Sequence, residues 1–238
     1  IVSLAKKYDL KVYEDAAQSL FSKYKGKMLG TIGDLGCFSF HETKNYHCGE
    51  GGALTINNQE IYQKIQIIRE KGTNRNEFLE GAVDKYTWRS LGSSYLLGEL
   101  SAAFLYAQLQ SVQKVKEKRC LLWEEYFNNL IDLQKENKIQ LPKIPEYCDH
   151  NGHIFFILAK DFREREELRS FLSSQGITAS PHYHPLHSSP AGKVFSSFRG
   201  EDEWTTKVSN SILRLPLFYD LKFDSVRYIC EKIREFYL

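Results

Sequence analysis

Three short runs of strand-forming residues, Lys11-Val-Tyr-Glu-Asp15, Leu35-Gly-Cys-Phe-Ser-Phe40 and Gly52-Ala-Leu-Thr-Ile56, alternate with helix-forming stretches such as residues 58–71. That alternation is the strongest constraint on the fold, because short buried strands separated by helices pack as an α/β sheet layer. The first run ends in two carboxylates, and the second ends in Ser39 followed by a His-rich turn. Ligands of open α/β sheets gather at the carboxyl ends of strands, so Asp15 and Ser39 occupy positions where chemistry is expected.

Residues 96–133 contain no proline, and their apolar members Leu97, Leu100, Ala103, Phe104, Ala107 and Leu109 recur at helical spacing. This predicts a long helix linking the sheet unit to a second one. Beyond the loop Leu141-Pro-Lys-Ile-Pro145, the pattern reads as a strand over 153–159, a helix over 163–175 and a strand over 177–182. Two further helices follow, over 203–213 and 223–237. The expected division is therefore a large-domain part with its linking helix over 1–125 and a small α+β domain over 126–238.

The chain has 238 residues, 42% of them hydrophobic, enough to bury a sizeable core. Its 32 basic and 30 acidic residues nearly cancel and form no recurring basic stripe, which argues against a nucleic-acid partner and for small molecules and protein subunits. Five widely spaced cysteines without a CxxC pair read as reduced thiols, pointing to the cytoplasm. No run approaches the roughly 18 apolar residues of a membrane helix, and there is no signal-peptide pattern. Residues 1–10 read as the middle of an amphipathic helix without an initiating methionine, so the expectation is a chain that has lost its natural N-terminus.

The most informative stretch is Glu14-Asp-Ala-Ala-Gln18, followed by Ser39-Phe-His-Glu-Thr-Lys44 and Gly49-Glu-Gly-Gly52. A pyridoxal 5'-phosphate (PLP) enzyme needs a lysine to bond the aldehyde carbon, a carboxylate to keep the pyridine nitrogen protonated and donors for the phosphate. Lys44, Asp15 and Ser39 supply these groups in that arrangement, and the glycines let the backbone turn back into a strand. Taken singly, each has a plainer reading: a solvated lysine, a capping aspartate, a serine satisfying a neighbouring amide.

With Gly33-Asp34, Leu91-Gly-Ser-Ser-Tyr95, His182-Tyr-His-Pro-Leu-His187 and Leu215-Pro-Leu217, these stretches resemble the DegT-type PLP-dependent sugar aminotransferases. The resemblance runs the length of the chain. It implies fold type I of the aspartate-aminotransferase superfamily, here a partial large domain with a mixed, mostly parallel sheet plus the small C-terminal domain. It also implies a homodimer with shared active sites. Lys44 is then the Schiff-base lysine, Asp15 the pyridine-nitrogen partner, Gln18 a ring contact and Ser39 a phosphate ligand. In the family's Gly-x-Asn-Tyr-Arg motif, whose Asn reaches the neighbouring subunit's phosphate, this chain has Ser94 and Leu96, and a serine reaches less far. Val83-Asp-Lys-Tyr-Thr-Trp88 and Gly92-Ser-Ser-Tyr95 look most like the dTDP-4-amino-4,6-dideoxygalactose transaminases. These act on dTDP-4-keto-6-deoxyglucose, with glutamate as donor, in bacterial surface-polysaccharide synthesis. His at the lysine position marks dehydrating relatives, so Lys44 favours amino transfer. The resemblance also implies that His182 and His187 lie near the mouth of the site and touch the sugar nucleotide, with Tyr95 a further substrate contact.

Two readings compete. His182, His184 and His187 form a possible metal triad on one strand face, although no Cys or carboxylate motif completes a shell. Alternatively the polypeptide is a truncated, catalytically incompetent product. The family's phosphate-cradling turn and ring-stacking aromatic belong to a segment upstream of residue 1, and the sheet would then expose unpaired edges. The aromatics Tyr86, Trp88 and Tyr95 are read as dimer interface first. Cys48 is read as a small buried filler and residues 113–119 as a solvated helix face.

Overall fold

The computed structural model describes residues 1–238. A short helix, α1 (Val2–Lys7), precedes strand β1 (Tyr13–Asp15). The β2 (Lys23–Tyr24) and β3 (Lys27–Met28) hairpin follows, then β4 (Leu35–Ser39) and β5 (Gly52–Ile56). β1 lies parallel to β4, with Asp15 opposite Cys37, and β5 lies antiparallel on the other side of β4, with Gly52 opposite Ser39. The sheet is mixed, in the order β1-β4-β5.

The loop from β3 to β4 is held by Glu14, whose carboxylate accepts N–H bonds from Gly30 (2.8 Å), Ile32 (2.6 Å) and Gly33 (2.7 Å). Glycine is required here for closeness as well as conformation. Gly30 has φ +82°, and a Cβ on Gly36 of β4 would lie 2.0 Å from the Gly30 carbonyl oxygen. The chain continues through α2 (Tyr62–Arg69), α3 (Arg75–Leu79) and α4 (Glu99–Leu109).

The structure divides into two units, Ile1–Gln113 with Glu146–Asn151, and Lys114–Pro145 with Gly152–Leu238. α5 (Val112–Lys135) thus lies almost wholly in the second unit, whereas the sequence places the boundary at residue 125. The short return to the first unit carries β6 (Cys148–Asp149), which pairs antiparallel with β2.

In the second unit, β7 (Phe155–Leu158), β8 (Ser180–Pro181) and β9 (Ile212–Leu215) form an antiparallel sheet in the order β7-β9-β8. The helices of this unit after α5 are α6 (Phe162–Ser174), α7 (Pro190–Phe195), α8 (Thr205–Ser211) and α9 (Phe223–Tyr237). Its core draws Leu122, Tyr126 and Leu130 from α5, Phe155 and Ile157 from β7 and Leu168 and Leu172 from α6. α9 adds Val226, Ile229, Cys230 and Ile233 at the i, i+3, i+4, i+7 spacing of one helix face. Tyr126 is fully buried, and its hydroxyl is satisfied by donating to the Pro216 carbonyl at 2.8 Å. That burial pushes the phenol pKa well above its usual value.

Several expected elements differ in extent. The single helix over 96–133 is broken between α4 and α5, where the Ser111 N–H bonds back to the Gln108 carbonyl (2.9 Å), a tighter three-residue turn. The expected strand over 177–182 narrows to the two residues of β8. The helix expected over 203–213 ends at Ser211, because Ile212–Leu215 pairs on both sides as the central strand of its sheet.

Candidate active site

Asp15 is the last residue of β1, and the Ala16 N–H continues the pairing by bonding to the Cys37 carbonyl (2.9 Å). Its exposed carboxylate accepts one local bond, from the Ala17 N–H at 3.2 Å. The neighbouring carboxylates divide the work: Glu14 turns inward to hold the 30–33 loop, while Asp15 projects from the strand end with acceptor capacity to spare.

Ser39 ends the adjacent strand β4, and its Oγ accepts a long bond from the His41 N–H (3.3 Å). From here the chain makes a closed excursion. The Phe40 N–H bonds to the Gly51 carbonyl (2.8 Å), the Glu42 N–H to the Gly49 carbonyl (2.8 Å) and the Cys48 N–H to the Phe40 carbonyl (2.9 Å). Lys44 lies inside this loop, its N–H bonded to the His41 carbonyl (2.9 Å), and its half-buried side chain takes part in no ion pair or side-chain hydrogen bond. The residues after it are anchored. Tyr46 is buried, packs edge-on against Phe21 and donates its hydroxyl to the Val112 carbonyl (2.9 Å). Gln108 of α4 grips the backbone of His47. The buried Cys48 thiol is pushed up in pKa, by burial first and by Glu50 second. This agrees with a filler and argues against a nucleophile.

The turn after β1 is anchored as well. Asn151, only 5% exposed, donates to the carbonyls of Gln18 (2.9 Å) and Leu20 (3.0 Å), which leaves the Gln18 side chain exposed. Neither Asn151 nor Gln108 is signalled in the sequence, because their partners lie 133 and 61 residues away.

Asp15, Gln18, Ser39 and Lys44 therefore gather where two adjacent parallel strands end. Ser94 and Tyr95 belong to the same unit and are exposed. Ser94 forms an isolated backbone bridge with Glu70, and the Tyr95 N–H bonds to the Arg69 carbonyl (3.2 Å). No hydrogen bond or ion pair joins Ser94 or Tyr95 to the Lys44 loop.

His182 and His187 belong to the second unit. His182 stacks on Tyr183 with ring centroids 5.4 Å apart, its Nε2 is buried without a partner, and burial followed by the Arg214 charge lowers its pKa. His187 Nε2 bonds to Asp202 (2.9 Å), and His184 Nε2 to the Ser188 hydroxyl (3.1 Å). No three His, Cys, Asp or Glu side chains are arranged to hold a metal ion, so the histidine triad considered from the sequence is not formed.

A primary amine without a partner, an exposed carboxylate, a hydroxyl with a free proton and an exposed amide are groups of the kinds that PLP draws on, and their chemistry fits its aldehyde, pyridine nitrogen, phosphate and ring. The five cysteines are free, and no helix is long and apolar enough to cross a membrane.

The profile of the DegT/DnrJ/EryC1/StrS aminotransferase family matches residues 1–234. GDP-perosamine synthase of Escherichia coli O157:H7 is 32% identical over 241 residues, covering 100% of this chain and 61% of that protein. The dTDP-3-amino-3,4,6-trideoxy-alpha-D-glucose transaminase of Streptomyces venezuelae is 29% identical, covering 98% and 58%. The crystal structure of a DegT DnrJ EryC1 StrS aminotransferase from Brucella abortus superposes with a TM-score of 0.86 at 26% identity, covering 99% of this chain and 59% of that one. The chain thus spans less than two thirds of the length of these proteins, and it shares their α/β fold.

Proposed function

We propose, from the fact that this chain belongs to the DegT/DnrJ/EryC1/StrS aminotransferase family, that the protein of which it forms part is a PLP-dependent aminotransferase acting on a keto-sugar nucleotide. The observation that carries this reading is the placement of Asp15 and Ser39 at the ends of two adjacent strands, with the unpartnered Lys44 in the closed loop that follows.

When bound, the cofactor supplies an electron sink and a carrier for the amino group. Lys44 would hold the cofactor at its aldehyde carbon, and its Nζ would serve as the base that moves a proton at the substrate carbon. The Asp15 carboxylate would hold the proton on the pyridine nitrogen, Gln18 would contact the ring and Ser39 would donate its hydroxyl to the phosphate. Ser94 takes the position that reaches the neighbouring subunit's phosphate in a homodimer. Tyr95, His182 and His187 are assigned to the sugar nucleotide. The reaction turns a C=O of the sugar into CH–NH2 while glutamate becomes 2-oxoglutarate.

Within that class the sequence favours dTDP-4-keto-6-deoxyglucose as acceptor, giving the 4-amino-4,6-dideoxygalactose nucleotide for surface polysaccharide, in the cytoplasm. The names of the relatives span GDP- and dTDP-sugars and support the class.

The test is to incubate the full-length protein with PLP, glutamate and dTDP-4-keto-6-deoxyglucose. The expected result is equal formation of 2-oxoglutarate and an amino sugar nucleotide. Amino transfer to a GDP- or UDP-linked keto-sugar alone would change the nucleotide assignment and keep the class. Absence of transfer to any keto-sugar nucleotide would overturn the class.

A further inference from the structure

Gln18 and Lys44 sit on different loops, and both loops meet at one residue. The buried Asn151 uses both hydrogens of its carboxamide on the carbonyls of Gln18 and Leu20, two residues apart, so the fork fixes the curve of that turn. Its own main-chain carbonyl accepts from Asn45 Nδ2 at 3.0 Å, and Asn45 directly follows Lys44. The segment that carries Asn151 is itself tied down. β6 pairs with β2, the Lys25 N–H bonds to the Tyr147 carbonyl (2.8 Å), and the Tyr24 and Tyr147 rings meet edge to face.

We propose that Asn151 is a positioning residue, one that sets the turn bearing Gln18 and the loop bearing Lys44 in fixed register with each other. This rests on the reading that Gln18 and Lys44 contact PLP. A buried amide satisfied for stability alone needs only some pair of partners. Here the carboxamide holds the turn that bears Gln18 while the main-chain carbonyl of the same residue holds the loop that bears Lys44, from a segment more than a hundred residues further along the chain. Aspartate is the same shape but has no hydrogen to donate, so Asn151→Asp removes the fork and sets a charge against two carbonyls.

The experiment uses the full-length protein and follows PLP affinity by the absorbance of the bound cofactor, in a double-mutant cycle with Gln18→Ala. Asn151→Asp is expected to weaken PLP binding about tenfold, the scale set by stranding two partly buried acceptors. In the Gln18→Ala background the same substitution is expected to cost about threefold or less, because the contact it positions is already gone. Equal losses in both backgrounds, or no loss in either, would overturn the proposal.

Should Asn151→Asp fail to fold, Asn45→Ala cuts the link to the Lys44 loop and leaves the fork in place. It is expected to move the pH midpoint of the bound cofactor's absorbance by about half a unit or more, and an unchanged midpoint would overturn the proposal. Borohydride labelling of the unsubstituted protein separates the two levels. Label away from Lys44 means that the underlying reading has failed, whatever Asn151 does.

Discussion

Gln108 and His47 are joined by a two-pronged bond. The Gln108 amide donates to the His47 carbonyl at 2.8 Å, and its Oε1 accepts the His47 N–H at 3.2 Å. A helix thereby holds the loop that carries Lys44 by its main chain, independent of which side chain stands at position 47. Gln108→Ala leaves a partly buried donor and acceptor unpaired. The expected loss is about 1–3 kcal/mol of stability in denaturant melts. Gln108→Glu keeps the acceptor and loses the donor, so its loss should be intermediate.

The adjacent carboxylates Glu14 and Asp15 should separate stability from chemistry. Glu14 accepts three main-chain N–H bonds, so Glu14→Gln, which places an amide donor among donors, is expected to cost about 1–3 kcal/mol in urea unfolding of the apoprotein. Asp15 makes one local bond at an exposed strand end. Asp15→Asn should leave the melting transition nearly in place and lower kcat on the order of a hundredfold or more. The opposite pattern, with Asp15→Asn unfolding the protein, would contradict the roles assigned to both.

Acid stability should report His182. Its folded pKa lies below the ordinary 6.5, because burial first and the Arg214 charge second disfavour the imidazolium. The unfolded chain therefore binds the proton more readily. Stability from this residue is fully present above pH 6.5 and is lost as the pH falls through that value and then through the folded pKa. His182→Gln is expected to flatten the stability profile in that acidic window and leave the profile above it unchanged, as read by denaturant midpoints at stepped pH.

Thiol reactivity should follow burial. The Cys230 thiol is fully buried in α9, and burial pushes its pKa up to about 12, so it should resist alkylation at pH 8 until the protein unfolds. Cys37, exposed on β4, should react first. Mass spectrometry of tryptic peptides after timed iodoacetamide treatment distinguishes the two.

What could be read directly from the sequence was local. The helix expected over 223–237 matches α9 to its ends, and the strand-end residues Asp15 and Ser39 with Lys44 beyond them stand out within one stretch of 30 residues. What could not be read depends on distant pairing. Ile212-Leu-Arg-Leu215 is too short to declare itself and becomes a strand because β7 and β8 flank it. Asn151 and Gln108 look like any surface amide until the chain brings Gln18 and His47 to them.

Borohydride reduction of the PLP-treated full-length protein, followed by peptide mapping, shows directly which lysine holds the cofactor. A pyridoxyl group is expected on the peptide containing Lys44, absent in the Lys44→Arg variant. A pyridoxyl group on any other lysine, or on none, would contradict that expectation.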